Sequence, residues 1–549
     1  MALFGISVSS AVSGRRGHYR RDSGLLPFRP VQRAARRAGR SGLTSGGLAT
    51  ILRAVPASSA GVPSRDYAMP PSTPPSPPRN GMTRIPEITR LAGILPAAVM
   101  LCVIWAEYGG GRIAAILAGI FALAAVAVFS LDARFSRLAF VLIGIELTVW
   151  AMLSHDGWQA GLAAAIASGS LIVALFTALS AIRSAAVSSQ EILETGRFLA
   201  RQPPGLRYVA LTVGGHLFGL ILLYGSIALL GSLATDSAAR EPDPEIRRHR
   251  TRRMLVAIQR GFAATLTWSP LGFSMVISTS LVPGADWSLV ALPCLVSAGL
   301  LMFGGWALDT AFKPRLSQPA PPRPPETGRW LIHLRPLLIL LSAVIAGVVA
   351  LRLLTGVEVI GAVMSLVPAV AIAWIFIQRL PSGAGSLRYT GTRIAGFVTR
   401  ELPGYRGEIL LLFMAAFIGS LGSFLLVPLM ADLGLDLSAV PPMLILVALI
   451  WIIPLTGQLG MNPILSVSLL VPLLPPPEAM GVSPAVVVGA ITGGWALSGV
   501  TSPFTASVLL AGSLGQVPPR HAGLVWNGPY AGVMGLVLSL WVLLLAQIL

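Results

Sequence analysis

The chain has 549 residues, of which 54% are hydrophobic and only 11% are charged. Its mean hydropathy of +0.76 excludes a monomeric water-soluble protein of this size, which would need far more polar surface. The net charge of +18 comes mainly from arginines in the N-terminal tail and in short loops. No nucleic-acid-reading motif accompanies it, so we interpret it as charge that sets membrane topology.

Residues 1–84 differ from the rest of the chain, because they are rich in Arg, Pro and Ser and poor in acidic residues. Three interpretations stay open: an organelle transit peptide, a disordered basic tail, and a non-native segment with translation starting at Met69 or Met82. We expect a disordered or spurious tail. The remaining residues divide into two halves, 85–334 and 335–549.

Repeated apolar stretches predict an all-α polytopic membrane protein with about ten transmembrane helices. Eleven such stretches lie near 91–107, 113–131, 138–153, 160–182, 254–282, 287–308, 335–354, 358–377, 408–431, 485–512 and 524–548. The loop at 132–137 contains Arg134 and Arg137, whereas the loop at 154–159 lacks Arg and Lys, which places the N-terminus in the cytoplasm. We expect a multi-pass protein of a bacterial inner membrane, surrounded by lipid, with a short interfacial helix after residue 189.

Residues 208–234 are predicted to form a re-entrant hairpin. The loop that follows them, 235–253, is rich in arginine and would lie outside if the stretch crossed the membrane once. A hairpin that turns near Gly214, Gly215 and His216 returns this loop to the cytoplasm.

A second hairpin is predicted at 440–475. Both flanks of this stretch lack Arg and Lys, and its middle is interrupted around Gly457, Asn462 and Pro463. These features predict a hairpin that enters from the outside. The alternative for either hairpin is a full crossing of the membrane.

Each hairpin is followed by an apolar stretch that is interrupted at a Ser-Pro pair. Proline lacks a backbone donor and clashes with the preceding helical turn, so it breaks a helix. At an offset of 233 residues, 502 minus 269, five residues of the two stretches are identical: Ser269 and Ser502, Pro270 and Pro503, Ser274 and Ser507, Ser280 and Ser513, and Leu281 and Leu514. Two broken helices in matching positions of two halves predict an inverted repeat and a transporter's binding site.

The candidate solute- and ion-binding residues lie at the breaks and hairpin tips. They are Thr267, Ser269, Pro270 and Ser274 in the first break, Thr501, Ser502, Pro503 and Ser507 in the second, and Gly215, His216, Gly457, Asn462 and Pro463 at the tips. The N-terminus of a half-helix favours an anion, whereas carbonyl and hydroxyl oxygens suit a cation. The alternative is structural, since Ser and Thr in membrane helices often bond their own backbone.

Two titratable residues are candidates for proton coupling. Glu146 lies within an apolar stretch, where an ionised carboxylate is costly. His216 lies at the predicted first tip, and its titration range suits proton transfer. A scaffold ion pair for Glu146 and a structural role for His216 are the alternatives.

A hairpin followed by a broken helix, used twice in opposite orientation, resembles the ion transporter superfamily. This group includes divalent-anion/sodium symporters, citrate carriers and arsenite-type permeases, and the resemblance covers roughly residues 138–512. It implies that the hairpin tips and the breaks together bind the substrate and the coupling cation. Of the Ser-Asn-Thr tip signature of the dicarboxylate branch, only Asn462 is present.

The sequence therefore predicts a secondary active transporter of a small anionic solute, coupled to Na⁺ or H⁺, with no other cofactor and no metal site. A homodimer is expected. An enzyme is disfavoured, because no apolar stretch holds paired Asp, a His/Glu cluster or a Ser/Lys dyad at helical spacing. A channel or a non-transporting scaffold is the other alternative. A primary pump is disfavoured, because the sequence contains no phosphate-binding loop.

Overall fold

A computed structural model describes residues 86–187, 189–313, 317, 330–379, 385–434 and 437–549, so the predicted tail lies outside the described residues. The described residues form helices joined by short turns, with no β-strand among them. Ten stretches of them are long and apolar enough to cross a membrane. The chain is an all-α polytopic membrane protein, as the sequence predicts.

The first half of the chain contains ten helices among the described residues. They are α1 (Pro86–Trp105), α2 (Gly111–Ser130), α3 (Phe135–Ser154), α4 (Trp158–Val187), α5 (Gln190–Arg201), α6 (Pro204–Leu222), α7 (Gly225–Ala239), α8 (Pro244–Thr265), α9 (Phe273–Leu281) and α10 (Trp287–Ala311). The helix expected after residue 189 is α5, and its sequence is amphipathic.

The second half contains nine helices among the described residues. They are α11 (Trp330–Thr355), α12 (Val359–Arg379), α13 (Ser386–Gly396), α14 (Arg406–Asp432), α15 (Pro442–Gln458), α16 (Pro463–Leu470), α17 (Pro484–Thr501), α18 (Ala506–Leu514) and α19 (Asn527–Ile548). Short π and 3₁₀ segments occupy several of the junctions.

The Arg-rich segment 235–253, predicted as a loop, is largely helical. Helix α8 begins at Pro244, where the Asp243 side chain accepts hydrogen bonds from the backbone N–H groups of Glu245 and Ile246. An Asp cap followed by Pro is a strong helix start, and Arg is a good helix former. The predicted loop rested on the arginine charges and did not take this cap into account.

Two sets of four helices form the interior and correspond to each other along the chain. The first unit is α6–α9 and the second unit is α15–α18. In each unit the first helix packs along the first half of the broken helix, α6 against α8 and α15 against α17. The units also exchange contacts, since α9 packs against α16 and α18 packs against α7.

Glycines allow the backbones of these paired helices to approach closely. A Cβ at Gly261 of α8 would lie 2.1 Å from the carbonyl oxygen of Thr212 in α6. A Cβ at Gly494 of α17 would lie 2.7 Å from the carbonyl oxygen of Leu449 in α15. Gly261 and Gly494 are related by the same offset of 233 residues, 494 minus 261, so the same packing device occurs in both units.

Seven of the remaining helices form a scaffold beside the two units. Helices α1, α2, α4, α12 and α14 pack against one another, α3 packs on α14, and α11 packs on α12. Helix α17 is apolar on all sides and is buried along most of its length, as expected for a helix at the centre of a bundle. The scaffold and the units therefore enclose the two broken helices.

Candidate functional site

The first break separates α8 from α9 at residues 266–272. The hydroxyl of Ser274 donates a hydrogen bond to the carbonyl oxygen of Leu266. The hydroxyl of Ser269 accepts one from the N–H of Leu271, at 3.2 Å. Because both serines are buried, their hydroxyls satisfy backbone groups that the break would otherwise leave unpaired.

The second break separates α17 from α18 at residues 502–505. Here the hydroxyl of Ser507 donates to the carbonyl oxygen of Gly499. The hydroxyl of Ser502 accepts from the N–H of Phe504, at 3.4 Å. Both serines are again buried.

The two breaks share one hydrogen-bond pattern at the offset of 233 residues. Besides the two serine contacts, three backbone bonds recur: Ser269 to Thr265 and Ser502 to Ser498, Gly272 to Ser269 and Thr505 to Ser502, and Val276 to Gly272 and Leu509 to Thr505. Five equivalent bonds show that the breaks have the same local structure. Their Ser-Pro sequences therefore specify one backbone conformation twice.

The breaks also touch each other through equivalent residues. A Cβ at Gly499 would lie 3.0 Å from Cδ1 of Leu266, and these two residues are related by the same offset, 499 minus 266. The breaks are therefore brought to one place in the bundle.

The half-helices that follow the breaks begin without a side-chain cap. Within the described ranges, no side chain bonds the first N–H groups at Gly272, before α9, or at Thr505, before α18. By contrast, Asn462 and Ser483 cap α16 and α17. Uncapped N–H groups and the positive end of the helix dipole can stabilise a bound anion.

The predicted second hairpin consists of α15 and α16, and its tip contacts the second break. The hydroxyl of Ser502 donates to the carbonyl oxygen of Gly457, at 2.6 Å. The side chain of Asn462 accepts from the N–H of Ile464, at 3.0 Å, and Pro463 is the first residue of α16. The structure thus brings Gly457 together with Ser502, while Asn462 shapes the start of α16.

The predicted turn of the first hairpin is wrong. Gly214, Gly215 and His216 lie inside α6, and the chain turns at Leu223 and Tyr224 instead. A Cβ at Gly215 would lie 2.4 Å from the carbonyl oxygen of Ile258 in α8, so this glycine serves close helix packing. Leu223 has a positive φ of 50° although it is not a glycine.

His216 nevertheless reaches the first break from the middle of α6. Its Nε2 accepts a hydrogen bond from the indole N–H of Trp268, at 3.2 Å, and its Nδ1 lies 3.3 Å from the carbonyl oxygen of Gly261. This pattern assigns the proton to Nδ1, which donates to Gly261. His216 therefore connects α6, α8 and the break as a neutral residue.

Three other predicted residues have mainly local contacts. The hydroxyl of Thr267 donates to the carbonyl oxygens of Ala264 and Cys294, at 2.9 and 3.1 Å, and that of Thr501 donates to Leu497, at 2.7 Å. Both threonines therefore bond backbone, as in the structural alternative. Glu146 is exposed on α3, a scaffold helix, and is not brought to the breaks.

Ser498 is a buried residue that the sequence analysis did not select. Its side chain is 0% exposed, and its hydroxyl has no hydrogen-bond partner among the described residues. A Cβ at Gly457 would lie 2.6 Å from that hydroxyl, so Ser498 lies between the second tip and the second break. Its position four residues before Ser502, one helical turn away, was the signal that could have identified it.

Arg260 of α8 was also missed. Its guanidinium donates to Asn527 at 3.0 Å, to the hydroxyl of Tyr208 at 3.1 Å and to the carbonyl oxygen of Trp526 at 3.4 Å. It also lies over the ring of Tyr530, 4.1 Å from the centroid. All these partners are neutral. A buried arginine within a predicted apolar stretch was itself the signal.

Two solved structures are similar to this chain. No family model matches the chain, and no curated protein matches its sequence. The chain is similar in structure to the YdaH transporter of Alcanivorax borkumensis, with 16% identity, a TM-score of 0.47, and 75% of this chain and 98% of that chain covered. It is also similar to MtrF of Neisseria gonorrhoeae, from a class of antimetabolite efflux pumps, with 13% identity, a TM-score of 0.48, and 76% and 96% covered.

The identities and TM-scores of both neighbours are too low to carry a function across to this chain. The resemblance to the ion transporter superfamily therefore stays a prediction.

Proposed function

We propose that the protein is a secondary active transporter of a small anionic solute, coupled to Na⁺ or H⁺, that works by alternating access around its two units. The observation that carries this proposal is the pair of equivalent helix breaks that touch at Leu266 and Gly499. A broken helix in an apolar bundle is costly unless the freed backbone groups are satisfied or serve a ligand. A channel or a passive scaffold does not need two matched breaks.

The charge near the breaks favours an anion. Arg260 precedes Leu266 by six residues of α8, about 9 Å along a helix. No described carboxylate forms an ion pair with Arg260, so its positive charge is not neutralised by one.

The uncapped N-termini of α9 and α18 add to this preference, because both point their first N–H groups into the breaks. The hydroxyl of Ser498 supplies a neutral donor that has no partner in the described part of the chain. Together, the arginine, the half-helix N-termini and this hydroxyl are suited to a small anion.

Orientation and assembly complete the proposal. The two units have opposite orientations in a bacterial inner membrane, with the N-terminus in the cytoplasm, and the hairpins are re-entrant. The scaffold helices contact lipid and a second copy of the chain. No cofactor is required besides the coupling ion.

Uptake into proteoliposomes tests the function. A panel of organic and inorganic anions is offered under imposed Na⁺ or proton gradients, with wild type and the variants Ser502→Ala, Asn462→Ala and Ser498→Ala. We expect gradient-driven accumulation of one solute class in wild type, reduced in the first two variants. The control is Ser513→Ala, since Ser513 is exposed.

Ser498→Ala is the most informative variant. Because its hydroxyl has no partner among the residues that the structure describes, the substitution breaks no hydrogen bond between those residues. We expect an unchanged Tm and a KM raised about tenfold, the effect of one lost hydrogen bond to a ligand. Flux that runs only down the solute's own gradient would indicate a channel and contradict the proposal.

A further inference from the structure

A cavity of about 380 Å³ lies between the scaffold and the two units. Its scaffold wall comes from α2, α4, α14 and the distorted turn at Ala106–Gly110 between α1 and α2. Its opposite wall comes from α9 of the first unit and α16 of the second unit. The cavity is separate from the break residues described above, and none of the predicted site residues lines it.

Three hydroxyl groups in this cavity have no hydrogen-bond partner among the described residues: those of Ser168, Ser420 and Ser468. Ser468 is only 5% exposed, and it is one of the residues that line the cavity. By contrast, Ser170 and Ser280 in the same lining donate to the carbonyl oxygens of Ile166 and Ile277. Buried polar groups without a partner normally bind water or a ligand.

Glu107 is the charged residue of the lining. It has no ion-pair partner among the described residues, and the charged group that acts on it is the carboxylate of Glu358. A carboxylate next to a second carboxylate gains from a bound positive charge. An anion in the cavity would instead be repelled by Glu107.

We propose that this cavity binds a small monovalent cation, with Glu107 as the charged ligand and the hydroxyls of Ser168, Ser420 and Ser468 as neutral ligands. Oxygen atoms with one negative charge suit a hard cation such as Na⁺ and also an ammonium group. A water molecule occupies about 30 Å³ of liquid, so the cavity has room for a hydrated inorganic ion or a small organic cation.

The cavity's position suggests what the cation does. One wall belongs to the scaffold and the other to the two units, so a cation bound between them favours the conformation in which the walls are together. A ligand shifts a conformational equilibrium only through such a difference in affinity. The identification of this cation as the coupling ion rests on the proposed transporter function, whereas its binding does not.

Thermal unfolding of the purified full chain in detergent tests the binding. Tm is measured against NaCl, KCl or methylammonium chloride, with N-methylglucamine chloride keeping the ionic strength constant. We expect a saturable rise in Tm of about 2–4 °C. A rise with Na⁺ or K⁺ alone identifies an inorganic cation, and a rise with methylammonium alone identifies an organic one.

The variants locate the site. Glu107→Gln should abolish the cation-dependent rise, Glu107→Asp should keep part of it, and Ser468→Ala should weaken the apparent affinity about tenfold. Glu146→Gln removes an exposed carboxylate elsewhere on the scaffold and should leave the rise unchanged. No rise with any cation in wild type, or a full rise in Glu107→Gln, would overturn the proposal.

Uptake measured in parallel separates the two proposals. Gradient-driven uptake by a wild-type protein that shows no cation-dependent Tm would overturn the cation site and leave the transporter standing. A cation-dependent Tm that needs Glu107, without uptake of any solute, would support the site and count against the transporter.

Discussion

The two units have the same helix breaks but different hairpin tips. The tip of the second hairpin is hydrogen-bonded within its own unit, because the hydroxyl of Ser502 donates to the carbonyl oxygen of Gly457. The tip of the first hairpin bonds the scaffold instead. There the hydroxyl of Tyr224 donates to Glu408 of α14, and Arg183 of α4 lies 5.2 Å from the centroid of the Tyr224 ring.

This difference separates the helix break, which the local sequence sets, from the tip of the first hairpin, which depends on how the unit sits against the scaffold. The break is specified by a short Ser-Pro sequence, so it recurs with the same bonds. The tip of the first hairpin is held by residues of α4 and α14, and a scaffold contact of this kind must open if the unit moves relative to the scaffold. We expect the second tip to move with its break and the first tip to be released in the opposite state.

The largest expected effect comes from Gly261→Ala. The new Cβ would lie 2.1 Å from the backbone oxygen of Thr212, so α6 and α8 must separate, at a cost of about 3 kcal/mol. Gly494→Ala should cost less, because its nearest atom is 2.7 Å away. The measurement is the free energy of unfolding from SDS titration.

Gly489→Ala is the control for both variants, since Gly489 lies on α17 and a Cβ there meets no atom within 4 Å. We expect it to be neutral or slightly stabilising. Equal effects of Gly489→Ala and Gly494→Ala would contradict the close packing of α15 and α17.

Ser274→Ala and Ser507→Ala come next. Each removes the hydroxyl that bonds a carbonyl oxygen across a break, Leu266 or Gly499, and leaves that oxygen unpaired at a cost of about 1–2 kcal/mol. Because the breaks are equivalent, we expect the two variants to lower Tm by similar amounts. A large loss of Tm in one variant and none in the other would show that the equivalent hydrogen bonds do not stabilise the two breaks equally.

Tyr224→Phe tests whether the two hairpin tips have different roles. It removes the hydrogen bond to Glu408 but keeps the ring that packs against Arg183, so we expect a loss of about 1 kcal/mol in the state seen here. Ser502→Ala is the matching change at the second tip. We expect Tyr224→Phe to change the rate of uptake more than KM, and Ser502→Ala to change KM. If Tyr224→Phe changes KM and Ser502→Ala changes the rate instead, a scaffold contact that opens during transport is ruled out.

Asn462→Ala should have a small effect on stability. The Asn462 side chain caps α16, and loss of such a cap costs about 1 kcal/mol. Asn462→Ser, which can still cap the helix, should restore Tm. If Asn462→Ser restores Tm but not uptake, Asn462 also contacts the solute or ion.

The breaks were predictable because their signal is local. Ser269 and Ser502, each followed by proline and then by a second serine, determine both the interruption and the bonds that satisfy it. The first tip was not predictable, since a Gly-Gly pair suits either a turn or close helix packing. The choice depended on Ile258 of α8 and Glu408 of α14, which lie far away in the sequence.

The surroundings of Arg260 could not be predicted for the same reason. Its neutral partners Tyr208 and Asn527 come from helices at distant points of the chain. The sequence could show only that an arginine lay within an apolar stretch. The start of α8 could have been predicted, because Asp243 and Pro244 form a local capping signal.

The most direct test of the account asks whether the two equivalent units face opposite sides of the membrane. Ser280 and Ser513 are both exposed and are related by the same offset, at the ends of α9 and α18. Single Ser280→Cys and Ser513→Cys variants, with Cys102 and Cys294 replaced, are treated in intact cells with a membrane-impermeant thiol reagent. The account predicts that Ser280→Cys is labelled from outside and Ser513→Cys only after permeabilisation. Labelling of both from the same side would contradict the inverted repeat on which the proposed transporter rests.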